Sequence, residues 1–230
     1  MDKKLEGILL IDKPSGMTSH DVVDVVRRKL RMKRVGHGGT LDPMATGLLI
    51  ILVGKATKLF EKLGGLDKGY EFAVKLGEKT DTGDADGKVI ETCGVIPQES
   101  ALIKAAENLC GNMDQIPPMY SAVKINGKKL YEYARSGIKV DVPSRKIEIK
   151  ENRFISFDGR TAEFFAHVSK GTYIRKLAED IAEAAGSPGH VTKLRRTFIG
   201  DYKIEDSIGL DEITEDKIIS AQSADNNAKI

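Results

Sequence analysis

The sequence is poor in cysteine, histidine and aromatic residues, and it contains no tryptophan. No secretory signal accompanies Cys93 and Cys110, so we expect two reduced thiols in a cytoplasmic protein rather than one disulfide. Four scattered histidines offer no spacing typical of a zinc site. The longest apolar run, residues 48–53, is far shorter than the about 20 residues that a membrane-spanning helix needs. We therefore expect no membrane span and no metal.

The composition is that of a globular protein with a sizeable core, since 40% of the 230 residues are hydrophobic and 30% are charged. Strand-like and helix-like segments are mixed without a regular βαβ rhythm, which predicts an α+β fold with a mixed, largely antiparallel sheet flanked by helices. The predicted strands are residues 5–11, 48–53, 70–76, 120–125, 146–150 and 161–168, and the predicted helices are residues 19–30, 97–109 and 172–185. Ser19 is the predicted N-cap of the first helix and Gly186 the stop of the last.

The net charge of +2 is unevenly distributed, since residues 1–65 carry 12 Lys+Arg against 7 Asp+Glu. Six basic residues lie between Arg27 and Arg34, at the predicted end of the first helix. They could form a solvated helix end whose cations suit the helix dipole. Because the dipole needs fewer charges than this, we favour a surface that contacts phosphates of a nucleic acid.

Several cofactor and hydrolase motifs fail on inspection. Gly54-Lys55 lacks the Ser or Thr and the upstream Gly of an ATP-binding loop, and Gly36–Gly39 lacks the strand–helix context of a dinucleotide site. The segment Asp81–Gly87 resembles a calcium loop, but its twelfth position is Thr92, so a solvated turn is favoured. No Gly-x-Ser-x-Gly nucleophile elbow is present. The sequence therefore predicts a protein without a nucleotide cofactor or any other cofactor.

Two residues remain as candidates for chemistry. Asp42 follows a turn with three glycines and precedes Pro43, which is compatible with plain turn chemistry. The glycines would also allow close approach of a large ligand, such as a nucleic-acid backbone. Arg175 opens the last predicted helix beside Tyr173. It could be an exposed arginine, or it could reach an active-site carboxylate and hold Asp42 ionised.

Six segments of the sequence resemble the bacterial tRNA pseudouridine synthase B (TruB) family, and they occur in the family's order over residues 5 to about 210. The stretch Gly38-Gly39-Thr40-Leu41-Asp42-Pro43 is the most specific. The matching segments are Asp12–Ser19, Gly36–Leu49, Lys68–Tyr70, Thr80–Gly87, Gln115–Lys124 and Lys170–Arg175.

This resemblance implies roles for residues at matching positions. Asp42 would be the catalytic aspartate, and Arg175 would be its ion-pair partner. Tyr70 would stack on the target base and help to remove a proton. Among substrate-binding residues, Tyr173 and Leu194 would line the uracil pocket, His37 would take the space left by the flipped nucleotide, and Lys13 would be a mainly structural residue near the site.

The resemblance further implies a pseudouridine-synthase catalytic domain over residues 1–210, with an RNA-gripping insertion at 115–147. Residues 211–230 would then be a short acidic tail, with the family's RNA-binding PUA domain absent or a remnant. The polar composition of this end of the chain separately predicts that it is frayed. The implied activity is cofactor-free isomerisation of uridine 55 in the T-loop of tRNA, by a monomer. The alternatives are a non-catalytic RNA-binding protein or tRNA-folding chaperone, and a metal-dependent hydrolase built on Asp81–Asp86.

Overall fold

The computed structural model describes residues 5–220, which fall into two compact units. The first comprises the described residues up to Tyr70 and from Leu194 onward, and the second comprises Glu71–Lys193. The strands are β1 (Gly7–Lys13), β2 (Val35–His37), β3 (Thr46–Val53), β4 (Lys68–Leu76), β5 (Glu78–Thr80), β6 (Val89–Thr92), β7 (Gly111–Gln115), β8 (Lys124–Ile125), β9 (Lys128–Lys129), β10 (Arg145–Phe157), β11 (Thr161–Val168), β12 (Gly189–Ile199), β13 (Tyr202–Lys203) and β14 (Ile219–Ser220). The helices are α1 (Ser19–Leu30), α2 (Phe60–Gly64), α3 (Glu99–Asn108), α4 (Leu130–Arg135) and α5 (Ile174–Ala184). None of the helices in residues 5–220 combines the length and the apolar character that crossing a membrane requires.

The first unit is built on a mixed sheet in the order β14-β1-β3-β12. Strand β3 is antiparallel to β1 and β2 but parallel to β12, which it meets at Thr46 and Arg195. The apolar run at 48–53 is a buried strand, as predicted. Its side chains pack with those of Ile8 and Leu10 in one core. The α+β class with a mixed sheet is therefore confirmed.

Helix α1 has the predicted bounds, but its N-cap differs from the prediction. Thr18, not Ser19, caps the helix, and it forms a reciprocal capping box with Asp21. Ser19 is instead buried, with its hydroxyl bonded to the backbone of Leu41. A serine one residue inside the cap is therefore used for tertiary anchoring.

The second unit carries the strand order β4-β11-β10-β7, with β10 antiparallel to both neighbours. Strand β11 alternates between buried and partly exposed residues, as its sequence pattern predicts. Phe164 on β11 stacks on Phe72 of β4 with ring centroids 5.5 Å apart. Helix α5 buries its predicted apolar face, and Gly186 follows it with φ of 89°.

Some predicted elements differ in extent. The strand predicted at 120–125 is reduced to β8, which pairs with β9 around Asn126-Gly127, the turn that the sequence predicts. The strand predicted at 146–150 is the first part of the longer β10. Strand β12 was not predicted at all, because its arginines interrupt the apolar pattern.

The expectation of a frayed tail is wrong for residues 211–220. Ile213 is 5% exposed, and Ile219 and Ser220 pair with β1. Apolar isoleucines among the acidic residues explain this order, since they can pack although the net charge is negative. Residues 221–230 lie outside the described part of the chain, and the predicted domain boundary at 210 stays a prediction.

Candidate active site

The loop that carries Asp42 connects β2 to β3, and we call residues 38–45 the Asp42 loop. The Gly38 amide donates to the Ile50 carbonyl at 2.8 Å, so the first residue of the loop is bonded to β3. At its centre, the Ser19 hydroxyl accepts from the Leu41 amide at 2.8 Å and lies 3.1 Å from the Leu41 carbonyl. Asp42 itself is partly exposed.

Lys13 is bonded to the part of this loop that follows Asp42. Its side chain is fully buried, and its ammonium donates to the carbonyls of Pro14, Met17 and Pro43 at 2.9, 2.6 and 3.2 Å. Burial lowers the pKa of Lys13 to about 8, and the negative charge of Asp42 partly opposes that shift. Lys13 therefore lies close enough to sense the Asp42 carboxylate while its hydrogen bonds go to backbone.

Ser15 and Gly16 of the Asp-Lys-Pro-Ser-Gly motif are bonded to the same loop. The Gly16 amide donates to the Pro43 carbonyl at 2.9 Å, and the Ser15 hydroxyl donates to the Met44 carbonyl at 3.0 Å. The two most recognisable segments of the sequence are thus joined directly. Their separation by about 30 residues along the chain hides this connection.

Tyr70 and Leu194 are the other first-unit residues to which the resemblance gives roles, besides His37. Tyr70 is 7% exposed on β4, and it follows Gly69, where a Cβ atom would lie 2.1 Å from the Phe198 ring. Only glycine fits before this tyrosine, because the Phe198 ring occupies the space. Leu194, also 7% exposed, lies on β12.

His37 lies on β2 and is partly buried. Burial lowers its pKa, and the positive charge of Arg196 acts in the same direction, so the ring is neutral at pH 7. Among the described residues, its Nδ1 atom is buried without a hydrogen-bond partner.

In the second unit, Arg175 is buried rather than exposed, with 5% of its surface accessible. Its Nη1 atom lies 3.3 Å from Asp84 Oδ2 and donates to the Thr82 carbonyl at 2.8 Å. Its Nη2 atom donates to the Tyr120 carbonyl at 2.8 Å. The exposed alternative for Arg175 is therefore wrong, and its predicted pairing with Asp42 stays a prediction.

The sequence interpretation missed Asp84. The Asp81–Gly87 segment was predicted to be a solvated turn, but Asp84 is 6% exposed and forms the ion pair with Arg175. Its second carboxylate oxygen accepts from the Thr82 hydroxyl at 2.6 Å and from the Asp86 amide at 3.2 Å. The available signal was the place of this segment within a family motif, since its composition alone is that of a surface turn.

Tyr173 is the N-cap residue of α5, and Gln115 fixes its backbone. The Tyr173 amide donates to Gln115 Oε1 at 2.7 Å, and Gln115 Nε2 donates back to the Tyr173 carbonyl at 3.2 Å. Gln115 is 4% exposed at the end of β7. This reciprocal pair sets where α5 begins, and it thereby places both Tyr173 and Arg175.

The basic end of α1 contains two kinds of cation. Arg27 is tied to Asp24 and to the Val35 carbonyl. The side chains of Arg28 and Arg31 are exposed, and Arg31 adopts a left-handed backbone conformation with φ of 52°.

The predicted insertion, residues 115–147, contains cations that lie over tyrosine rings at 5.4 Å. Lys128 lies over Tyr133, and both Lys129 and Arg135 lie over Tyr131.

Between residues 5 and 220, no three His, Cys, Asp or Glu side chains are grouped in a way that could hold a metal ion. Asp84, which belongs to the calcium-like segment, instead accepts hydrogen bonds and pairs with Arg175. The predicted site residues divide between the units: Lys13, His37, Asp42, Tyr70 and Leu194 belong to the first, and Tyr173 and Arg175 belong to the second.

Comparison with known proteins identifies the family of this chain. The model of the TruB family pseudouridylate synthase N-terminal domain matches residues 27–174, and that of the tRNA pseudouridylate synthase B C-terminal domain matches residues 175–228. The chain therefore belongs to the TruB family of pseudouridylate synthases.

Relatives named tRNA pseudouridine synthase B support the assignment. The protein of Psychrobacter cryohalolentis is 48% identical over 216 residues, which are 91% of this chain and 60% of that protein. The protein of Opitutus terrae is 47% identical over 212 residues, which are 92% of this chain and 88% of that protein. The chain thus spans less than two thirds of the first relative and most of the second.

A solved structure confirms the fold. The crystal structure of a Cbf5-Nop10-Gar1 complex contains a chain that is 28% identical and matches with a TM-score of 0.76. The match covers 97% of this chain and 62% of that one.

Proposed function

We propose that this chain isomerises uridine to pseudouridine at position 55 in the T-loop of tRNA, with Asp42 as the catalytic carboxylate. The observation that carries this proposal is the Asp42 loop, whose backbone is bonded to buried side chains on both sides of a partly exposed aspartate. The names of the relatives supply the reaction and the tRNA substrate. A fixed backbone of this kind is what a positioned catalytic group requires.

The reaction suits the side chains present. The C1′–N1 bond breaks, the uracil turns, a C1′–C5 bond forms, the proton on C5 leaves and N1 takes up a proton, so no redox step and no external group are needed. Asp42 attacks the sugar or stabilises glycosidic cleavage. Tyr70 helps to remove the C5 proton, and Arg175, held by Asp84, supplies the positive charge that keeps the aspartate ionised.

The target nucleoside must leave the stacked T-loop, which costs a few kcal/mol. Aromatic and apolar residues that receive the base offset this cost, and we assign that role to Tyr70, Tyr173 and Leu194. We propose that His37 occupies the space that the flipped nucleotide leaves in the T-loop. A neutral imidazole suits such a place, because it enters a stack of bases without the cost of burying a charge.

The macromolecular partner in this proposal is the T-stem-loop of tRNA, bound by a monomer in the cytoplasm. Support comes from the exposed arginines at the end of α1 and from the lysines and tyrosines of the 115–147 insertion. Positive charge attracts the phosphate backbone, and aromatic rings stack on unpaired bases.

The test uses unmodified tRNA labelled with tritium at C5 of uracil. Wild-type enzyme, without added cofactor, should release tritium from position 55 to water. Asp42→Asn should lower this rate by about a thousandfold or more, as expected for a group that acts on the reacting atoms. Its affinity for tRNA should stay within about tenfold, or 1.4 kcal/mol.

The same experiment separates the other candidate functions. A non-catalytic RNA-binding protein or folding chaperone would bind the tRNA without releasing tritium, in either variant. A metal-dependent hydrolase on the Asp81–Asp86 segment would lose activity in EDTA. Full tritium release in EDTA, with loss of release in Asp42→Asn, would support only the isomerase.

A further inference from the structure

Arg196 is a buried cation to which neither the sequence motifs nor the family resemblance gives a role. It lies on β12 with 1% of its surface exposed, and within residues 5–220 it forms no ion pair. Three of its nitrogens donate to backbone carbonyls: Nε to Leu48 at 2.7 Å, Nη1 to Thr40 at 3.3 Å and Nη2 to Gly39 at 3.2 Å.

These acceptors lie on both sides of Asp42 along the chain. Gly39 and Thr40 precede the aspartate within the Asp42 loop, and Leu48 follows it on β3. The planar guanidinium therefore bridges the start of the loop to the strand that leaves it. A lysine could not reproduce this, because its single nitrogen lacks the fixed fork of donors.

The other anchors complete the arrangement. Ser19 holds Leu41, directly before the aspartate, and Lys13 holds Pro43, directly after it. Burying a guanidinium with only neutral acceptors is costly, since no opposite charge in direct contact repays its lost hydration. Such a residue is retained where its geometry serves a purpose that an apolar residue could not.

We propose that Arg196 is a positioning residue for pseudouridine formation, one that fixes the backbone of the Asp42 loop and thereby the direction of the Asp42 carboxylate. This inference rests on the proposed function. Arg196 does not contact the reacting atoms in this role, so its loss slows the chemical step and leaves tRNA binding intact.

The test compares wild type with Arg196→Lys, which keeps the charge but loses the fork. The single-turnover rate of pseudouridine formation at saturating tRNA should fall roughly tenfold to a hundredfold, the effect of a displacement of about 1 Å. The Kd for tRNA should stay within about threefold of wild type. A rate within twofold of wild type, or an equal loss of rate and affinity, would overturn the proposal.

A merely structural role is tested by a matched core variant and by hydrogen exchange. Ile8→Ala, in the core of the same unit, should lower stability without changing the single-turnover rate of the folded enzyme. In Arg196→Lys, amides of residues 38–48 should exchange faster, whereas amides of β10 and β11 should not change. Unchanged exchange at 38–48 would also overturn the proposal.

Ser19→Ala keeps the test decisive if Arg196→Lys fails to fold. It removes the hydroxyl that bonds to Leu41, so it should also lower the single-turnover rate while sparing tRNA affinity. An unchanged rate would show that anchoring the loop does not limit the chemistry. Absence of pseudouridine formation by wild type would instead contradict the proposed function, while the exchange measurement would still report on Arg196.

Discussion

Two sets of cations in this chain differ in what they bind. One set is buried and comprises Lys13, Arg175 and Arg196. Each of these side chains donates to backbone carbonyls, and Arg175 also forms an ion pair with Asp84. The other set lies at the end of α1, where the side chains of Arg28 and Arg31 are exposed. Both sets consist of the same residue types, so composition cannot tell them apart.

The difference lies in hydration. An exposed cation keeps its water and acts on phosphates at a distance, in a manner that salt screens. A buried cation has lost its water, and it must recover the energy through several well-directed hydrogen bonds. Buried cations therefore fix the backbone at a site, whereas exposed cations attract a polyanion to it.

The strongest test of the buried set removes the carboxylate beside Arg175. Asp84→Asn removes the negative charge that lies 3.3 Å from the buried guanidinium, so we expect the free energy of unfolding to fall by about 3–5 kcal/mol. Urea denaturation measures this change. The single-turnover rate should also fall, because Arg175 is then less firmly held.

Asp81→Asn is the matched control for this prediction, since Asp81 lies in the same loop but is exposed. This substitution should lower the free energy of unfolding by about 1 kcal/mol at most, because it only weakens one hydrogen bond, which the Lys88 amide donates to Asp81. Equal effects of the two substitutions would contradict the distinction between a buried ion pair and a surface turn.

Lys13 sharpens the comparison through pH. Its pKa is about 8 in the folded protein, against an ordinary value of 10.5, so between these values the unfolded chain binds more protons. Raising the pH from 8 to 9.5 should therefore stabilise wild type relative to Lys13→Met, by on the order of 1 kcal/mol.

Denaturation curves at both pH values measure this difference, with Lys139→Met as a control for an exposed lysine. The control should show no such change relative to wild type. If the free energy of unfolding of Lys13→Met changes with pH as that of wild type does, burial does not lower the pKa of Lys13.

The same physics explains how much the sequence predicts. Elements with a clear apolar period were predicted well, since α1, β3, β11 and α5 each bury one face or both. Strand β12 was missed because its two arginines look like surface residues, whereas Arg196 is fully buried on backbone carbonyls. An apolar period predicts which apolar side chains are buried. It does not indicate polar side chains that are buried because they form hydrogen bonds within the protein.

The candidate site shows the same limit. Family motifs indicate Asp42, Tyr70 and Arg175, but the role of Asp84 depends on a partner about 90 residues away along the chain. A short segment rich in aspartate and glycine looks solvated unless that partner is known. Only the folded structure shows which carboxylates are paired.

The exposed set is tested by salt, with the smallest expected effect. Arg28→Gln combined with Arg31→Gln should flatten the slope of log affinity for tRNA against log salt concentration by roughly 1 to 2. Glutamine is unbranched like arginine and leaves the left-handed backbone at residue 31 under the same strain, so folding stability should change little. Arg27→Gln is the control, because its guanidinium is already bound to Asp24 and to the Val35 carbonyl. The control should leave the slope unchanged, and a double variant with the slope of wild type would remove the end of α1 from the RNA-binding surface.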